Sequence, residues 1–159
     1  MGLQERIPED LKESFHLSIG HCLLDRMNSK ELEKHLLMVT NLFVFGAKLI
    51  MTQKEKDQVA TLCLRAGQKS AYQVDFDSAG GYIDAGLGFL GDNKWECNYE
   101  LCLRLFNAGA EISYVRADFQ RLEKLVAEVL SHARSFEDTI EAHTTHIYAL
   151  GSRHKLQGE

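Results

Sequence analysis

The sequence predicts an all-α fold of six or seven helices, and three observations support this class. The 159 residues include a single proline, the residue that interrupts helices most strongly. Apolar residues recur three and four positions apart over most of the chain, which is helical spacing. No segment shows a sustained alternation of apolar and polar residues between hairpin turns, the pattern typical of strands.

The N-terminal part of the chain predicts two helices. Pro8 suits the first turn of a helix, and the apolar positions of that helix continue to about Met27. Asn28 can then cap a second helix, and acidic residues follow in its first turn. The apolar spacing becomes irregular near Gly46, so we expect a break or a short separate turn over 45–51.

The middle of the chain predicts two more helices. Residues 52–55, Thr-Gln-Lys-Glu, form a capping-box pattern in which the hydroxyl and the glutamate satisfy the first free amides. The helix that starts there is expected to run to about Tyr72. The dipeptide Asp75-Phe76 begins the next helix, which we expect to end at Gly91.

Three further helices are predicted after this point. The first begins at a box-like cap at Asn93 and runs to about Tyr114. The second begins with Asp118-Phe119. The third is capped at Ser135 and runs through Leu150, before a polar tail.

Two short blocks of the sequence resemble each other at an offset of 43 residues. In each block a pair of small residues precedes an Asp-Phe dipeptide, and the second member of the pair lies nine positions before the Phe. A small pair lets two helices approach closely, and the aromatic residue fixes the entry of the second helix. The positions predicted to be structural in the two copies are Gly67, Phe76, Ala79, Ala110, Phe119 and Leu122.

This duplication predicts a tetratricopeptide-like stack of antiparallel helix hairpins, that is, an α-solenoid segment. A tetratricopeptide repeat has about 34 residues, so the larger offset indicates a degenerate unit with longer helices. We expect N-terminal helices over 1–51 that join a preceding domain, hairpins over 52–153, and a polar tail over 154–159. A third copy is incomplete, which predicts a piece of a longer protein or a truncated product, with an open apolar end that can form a homodimer.

Composition and charge restrict the classes of function. The net charge of −5 argues against a nucleic-acid interface, which is usually basic. Apolar runs such as 42–45 are far too short to span a membrane. The four cysteines have no C-x-x-C spacing, so we expect reduced, buried thiols and a cytoplasmic location.

Catalytic signatures are absent from the sequence. A phosphate-binding loop needs a Lys after its glycines, and none follows Gly80, Gly81, Gly86 or Gly88. These glycines are interpreted as helix contacts that also lower the stability of their helix. The Asp75-Phe76 dipeptide lacks the Gly of a kinase D-F-G motif, and no nucleophile elbow is present.

Two histidines provide the alternative hypothesis. His143 and His146 are three positions apart on the last predicted helix and could bind one metal ion with Glu137 or Glu141. Zinc sites of this kind normally use H-E-x-x-H, whereas two threonines separate these histidines. A small helical-bundle enzyme or metal-binding protein is therefore the alternative function, and a structural spacer without a ligand is a third.

Four short blocks, in order and in register, resemble the helical region that follows the AAA-type, STAND-like ATPase module of large multidomain signalling proteins. These blocks are His16–Leu24, Leu62–Ser70, Trp95–Leu101 and Ile147–Arg153. The chain departs from the family at Cys63, where the family usually has Asn. It departs again at Gly80-Gly81, where family helices usually have Ala and Leu.

The resemblance implies a non-catalytic linker segment in signal transduction. Such proteins typically carry a serine/threonine kinase domain before the ATPase, and sensor modules with a histidine kinase or cyclase domain after the helical region. The segment would couple neighbouring domains or bind a protein partner, without a cofactor, nucleic acid or membrane. No catalytic residue of that family can be assigned to a position of this chain, because the family's catalytic motifs have no counterpart in the sequence. The expected binding surface is the groove between the first helices of successive hairpins.

Overall fold

Helices make up nearly all of the chain that the structure describes. The structure, a computed structural model, describes the backbone of residues 8–157 and the side chains of residues 8–153. The helices in this range are α1 (Glu9–Arg26), α2 (Ser29–Phe45), α3 (Gln53–Tyr72), α4 (Phe76–Phe89), α5 (Lys94–Cys97), α6 (Tyr99–Val115), α7 (Phe119–His132) and α8 (Ile140–Gln157). Short 3₁₀ turns occupy Ala47–Leu49 and Glu137–Thr139. No strand occurs among the described residues, so the predicted all-α class is confirmed.

Consecutive helices pack as hairpins, and each hairpin contacts the next. The pairs α1–α2, α3–α4 and α6–α7 are in direct contact. Between hairpins, α2 packs on α3, α4 packs on α6, and α8 packs on both α7 and α6. This order of contacts is consistent with a stack of hairpins. The solenoid arrangement itself stays a prediction.

Helix α6 lies at the centre of the packing. One cluster of buried apolar side chains joins α2, α3 and α4 to α6, and includes Phe43, Leu64 and Leu105. A second cluster joins α5, α7 and α8 to α6, and includes Phe106 and Val129. Because α6 contributes to both clusters, it connects the N-terminal hairpins to the C-terminal helices.

The structure has eight α-helices in this range because one of the predicted helices is divided. Asn98 has φ −144° and ψ 60°, which is not helical, and it separates the four-residue α5 from α6. The predicted cap at Asn93 forms no side-chain hydrogen bond. Burial of the Trp95 ring instead holds this short helix against the second cluster.

Side-chain caps define several of the helix starts. The Asn28 side chain accepts hydrogen bonds from the amides of Lys30 and Glu31, and Glu31 accepts one from the Asn28 amide, so this capping box is complete. At α3 only half of the predicted box forms. Thr52 accepts from the Glu55 amide, but the Glu55 carboxylate lies 2.9 Å from Nε2 of His21 instead.

Helices α3 and α6 end in turns of the same geometry, 43 residues apart. Val74 and Ala117 have positive φ angles of 64° and 56°. The amide of Asp75 donates to the carbonyl of Ser70 at 3.0 Å, and the amide of Asp118 donates to that of Ser113 at 2.9 Å. These are Schellman motifs, in which a left-handed residue closes the helix.

The aspartates of the two Asp-Phe dipeptides have a second role in these turns. The Asp75 side chain accepts from the amide of Ser78, and the Asp118 side chain accepts from the amide of Arg121, both at 3.1 Å. Each aspartate therefore ends one helix through its amide and caps the next helix through its carboxylate. The Ser78 contacts also hold the pKa of Asp75 below its usual value of 3.8.

The glycines of α4 differ in their surroundings. A Cβ at Gly86 would lie 2.8 Å from Cδ2 of Leu105, and one at Gly80 would lie 2.6 Å from Nη1 of Arg116. At Gly81 and Gly88 a Cβ would meet nothing within 4 Å. The interpretation of all four glycines as helix contacts is therefore wrong for Gly81 and Gly88, which lie on the open side of the helix.

None of the described helices is both long and apolar enough to cross a membrane.

The C-terminal helix extends further than the sequence predicts. Helix α8 continues through Gln157 into the segment predicted as a polar tail. The side chains of 154–159 lie outside the described residues, and so do residues 1–7 of the predicted N-terminal region.

Candidate functional site

A groove of about 510 Å³ lies between α6 and α8. Helix α6 is the first helix of its hairpin, and α8 lies where the first helix of the incomplete third copy is predicted, so this groove corresponds to the surface that the hairpin pattern predicts for binding. Its lining residues come from two turns of each helix: Glu111, Tyr114, Val115, Glu141, Thr144, Thr145 and Tyr148. None of these described lining residues is basic.

Two carboxylates meet in this groove without a cation. Neither Glu111 nor Glu141 belongs to an ion pair among the described side chains. Desolvation raises the pKa of Glu111 above its usual value of 4.5, and the negative charge of Glu141 raises it further. Like charges in a partly desolvated position favour a cationic ligand.

A buried amide on α6 contacts one of these two carboxylates. Asn107, one helical turn before Glu111, is only 3% exposed. Its Nδ2 donates to Oε2 of Glu141 at 3.1 Å, which connects α6 to α8. Its Oδ1 is buried and has no hydrogen-bond partner within the described structure. A buried acceptor without a donor costs free energy, on the order of 1–3 kcal/mol.

Two tyrosines form the apolar wall of the groove. The ring centroids of Tyr114 and Tyr148 are 6.5 Å apart. The hydroxyls of Tyr114 and Ser152 are hydrogen-bonded at 3.1 Å, which fixes the Tyr114 ring, whereas Tyr148 is 61% exposed. The groove therefore offers aromatic faces beside its carboxylates.

In two of the other hollows, some polar groups are paired within the chain. In the hollow beside α2 and the C-terminal half of α3, Glu33 pairs with Arg65 at 2.8 Å and with Lys69. In the hollow of about 310 Å³ at the start of α3, Gln53 donates to Asp57 and to the carbonyl of Phe89. In the α6–α8 groove, neither carboxylate has a cationic partner among the described side chains.

The structural positions predicted from the duplicated blocks all lie at helix contacts or helix starts. A Cβ at Gly67 would lie 2.8 Å from Cδ1 of Ile83 and 3.3 Å from the Ala79 carbonyl. Ile83 also lies 3.4 Å from the Cβ position of Gly109, so one side chain fills the space beside both small pairs. Ala79, Ala110 and Leu122 are completely buried, while Phe76 and Phe119 are half-buried at the first residues of α4 and α7.

The histidines of the alternative hypothesis do not face the groove. His143 is exposed and His146 is half-buried. They follow Glu141 by two and five positions, which places them on another side of α8 from this carboxylate. Among the side chains that the structure describes, no group of three His, Cys, Asp or Glu residues could hold a metal ion.

The expectation of four buried cysteines is only half correct. Cys63 and Cys102 are buried, and burial raises their thiol pKa values to about 12 and about 11, so both stay protonated at neutral pH. Cys22 and Cys97 are exposed. Cys97 is the last residue of the short α5, where the helix break turns the chain outward.

Residues of the resembling block at Trp95 connect helices instead of lining the groove. Nε1 of Trp95 donates to Glu128 at 2.9 Å, and its ring stacks on His132. The hydroxyl of Tyr99 donates to Asp138 at 2.6 Å. These contacts join α5 to the end of α7, and the start of α6 to the turn before α8.

Sequence reasoning missed Asn107 and Glu111, and it assigned Glu141 to a metal site. The spacing of these residues along the sequence is the signal that could have identified them. Asn107, Glu111 and Tyr114 follow one another by four and three positions, which places them on one face of α6. Glu141 and Tyr148 have the corresponding helical spacing on α8.

Comparisons with protein-family models, with curated proteins and with solved structures find no match to this chain.

Proposed function

We propose that this chain is a non-catalytic, tetratricopeptide-like interaction segment of a large signal-transduction ATPase or kinase. It couples neighbouring domains of the same polypeptide, or binds a protein partner, in the cytoplasm. The observation that supports this function best is the α6–α8 groove, which has two carboxylates without a cationic partner among the described side chains and an exposed tyrosine ring, Tyr148. Unsatisfied groups of this kind gain free energy when a partner supplies donors.

The architecture supports binding through a rigid scaffold. Helix α6 contacts α3, α4 and α7 and contributes side chains to both core clusters, which hold it in place. Preorganised side chains lose less conformational entropy when they bind. The signalling context rests on the four resembling blocks, and a kinase domain and a phosphate loop upstream in the same reading frame would support it.

Site-specific photo-crosslinking in the native cells tests the interaction. A benzophenone amino acid replaces Tyr148 in the groove or, as a matched control, Tyr72, which is 91% exposed at the end of α3. We expect a discrete crosslinked protein, or an internal crosslink to another domain, from position 148 alone. Equal crosslinking from both positions, or none from position 148, would contradict the proposal.

A further inference from the structure

We infer that α8 packs against α8 of a second copy of this chain, in antiparallel orientation, to form a two-fold symmetric dimer. The contact surface is the outward stripe of α8, which consists of Ile140, His143, Ile147 and Leu150. This inference goes beyond the proposed function and uses none of the residues that line the groove.

Helix α8 buries small residues and exposes its large apolar ones. The buried residues on the side that packs on α6 and α7 are Ala142, Thr145 and Ala149. The three aliphatic residues of the outward stripe are 42–66% exposed. The larger apolar side chains of α8 therefore face water, and covering them stabilises a complex by about 25 cal/mol for each Å² of apolar surface.

The outward stripe has the spacing of a contact between two helices. Its residues follow one another by three, four and three positions, like the a and d positions of a heptad repeat. A Cβ at Gly151, one position after the stripe, would meet nothing within 4 Å, so this side of α8 is open. A second copy of α8 presents a stripe of the same spacing, which is the surface that such a seam fits.

The charges at the two ends of the stripe favour an antiparallel second copy. Glu137 and Asp138 precede the stripe, and Arg153 and Lys155 follow it. The Arg153 side chain is 44% exposed although it pairs with Glu123 within the chain. In an antiparallel dimer the acidic end of each stripe lies beside the basic end of the other, whereas a parallel dimer places like charges together.

The outward stripe also determines the register of the dimer. In a two-fold symmetric interface the same surface patch meets itself. The register that matches every residue of the stripe is centred on position 145, where Ile140 lies opposite Leu150 of the second copy and His143 lies opposite Ile147. The two copies of residue 140 then lie about 15 Å apart along the helices.

Analytical ultracentrifugation of the full chain tests the interface. We expect an equilibrium between monomer and dimer. Ile147→Glu should raise the Kd of the dimer at least about tenfold, because it places a charge in the seam from both copies. Phe15→Glu is the matched control, since Phe15 is 65% exposed on α1 and Ile147 is 66% exposed. The control should change the Kd by less than about 1.5-fold.

Disulfide crosslinking tests the orientation and the register. Ile140→Cys and Leu150→Cys are each made together with Cys22→Ser and Cys97→Ser, which remove the two exposed thiols. Oxidation of a mixture of the two proteins should give a crosslinked dimer. Either protein alone should give little, because a disulfide needs Cα atoms within about 7 Å.

Three outcomes overturn the inference. The first is wild-type protein that stays monomeric at all concentrations, and the second is equal weakening of the dimer by Phe15→Glu and Ile147→Glu. The third is a failure of the mixture to crosslink, or equal crosslinking of each cysteine variant alone, which would indicate a parallel dimer. Crosslinking to another protein or domain from position 148 tests the proposed function separately, so either proposal can fail without the other.

Discussion

Two glycines of α4 allow a matched test of the packing between α4 and its neighbours. A Cβ at Gly81 would meet nothing within 4 Å. A Cβ at Gly86 would lie 2.8 Å from Cδ2 of Leu105 and 3.2 Å from Cβ of Cys63. The methyl group that Gly→Ala adds therefore lies in open space at Gly81, but at Gly86 it lies in a closed contact between three helices.

The expected magnitudes follow from these surroundings. Gly81→Ala should raise the free energy of unfolding by about 0.5–1 kcal/mol, because Ala has less freedom to lose when the helix forms. Gly86→Ala has the same advantage but overpacks the contact, which costs about 1–3 kcal/mol. The two variants should then differ by about 2 kcal/mol, or about 4–8 °C in melting temperature for a domain of this size.

Urea and thermal unfolding, followed by far-ultraviolet circular dichroism, measure both variants against the wild type. The order of stability should be Gly81→Ala, wild type, Gly86→Ala. If Gly86→Ala is as stable as Gly81→Ala, then α4 does not approach α3 and α6 as described. The packing that positions α6 would then be wrong.

Three further predictions concern the turns, the groove and the exposed face of α8. Val74→Gly should raise the free energy of unfolding by about 0.5–1 kcal/mol in urea titrations, because it removes the cost of a β-branched residue at positive φ. Glu111→Gln should stabilise the fold at neutral pH, since the raised pKa of Glu111 means that folding is penalised when this carboxyl is charged. This gain in stability should disappear when the pH falls below 4.5, the ordinary pKa of a glutamate, because the carboxyl is then protonated in both the folded and the unfolded chain. Thermal melts over a range of pH measure this dependence. Ile147 is 66% exposed on α8, so we expect concentration-dependent dimers in sedimentation experiments, which Ile147→Ser should reduce.

Each of these predictions has a clear contrary result. A loss of stability in the Val74→Gly variant would show that the left-handed residue is not strained. A pH-independent effect of Glu111→Gln would show that its charge is not the cause. Strictly monomeric wild-type protein at all concentrations would contradict the α8 contact.

Local sequence signals predicted the helices because they act over a few residues. The Asp-Phe dipeptides marked the starts of α4 and α7, since each aspartate caps the helix that follows it. The helix break at Asn98 was not predicted, because the apolar spacing continues on both sides of it. Trp95, three residues before the break, is buried in a tertiary contact that no local pattern encodes.

The candidate site was predicted only in its general position. The hairpin pattern indicated a groove between first helices, but the meeting of Glu111 with Glu141 depends on how α6 and α8 align. The Asn107–Glu141 hydrogen bond joins residues 34 positions apart, and no local pattern encodes it. The surroundings of Gly81 and Gly88 could not be predicted for the same reason. Whether a glycine of α4 contacts another helix or open space depends on how α4 packs against its neighbours.

Hydrogen–deuterium exchange of this protein tests the central claim most directly. Exchange would be measured by mass spectrometry with and without the partner that position 148 crosslinks. We predict slower exchange in residues 107–115 and 140–152, the two sides of the groove, and unchanged exchange in α2. Slower exchange in α2 with no change on either side of the groove would contradict the claim that this chain binds through the α6–α8 groove.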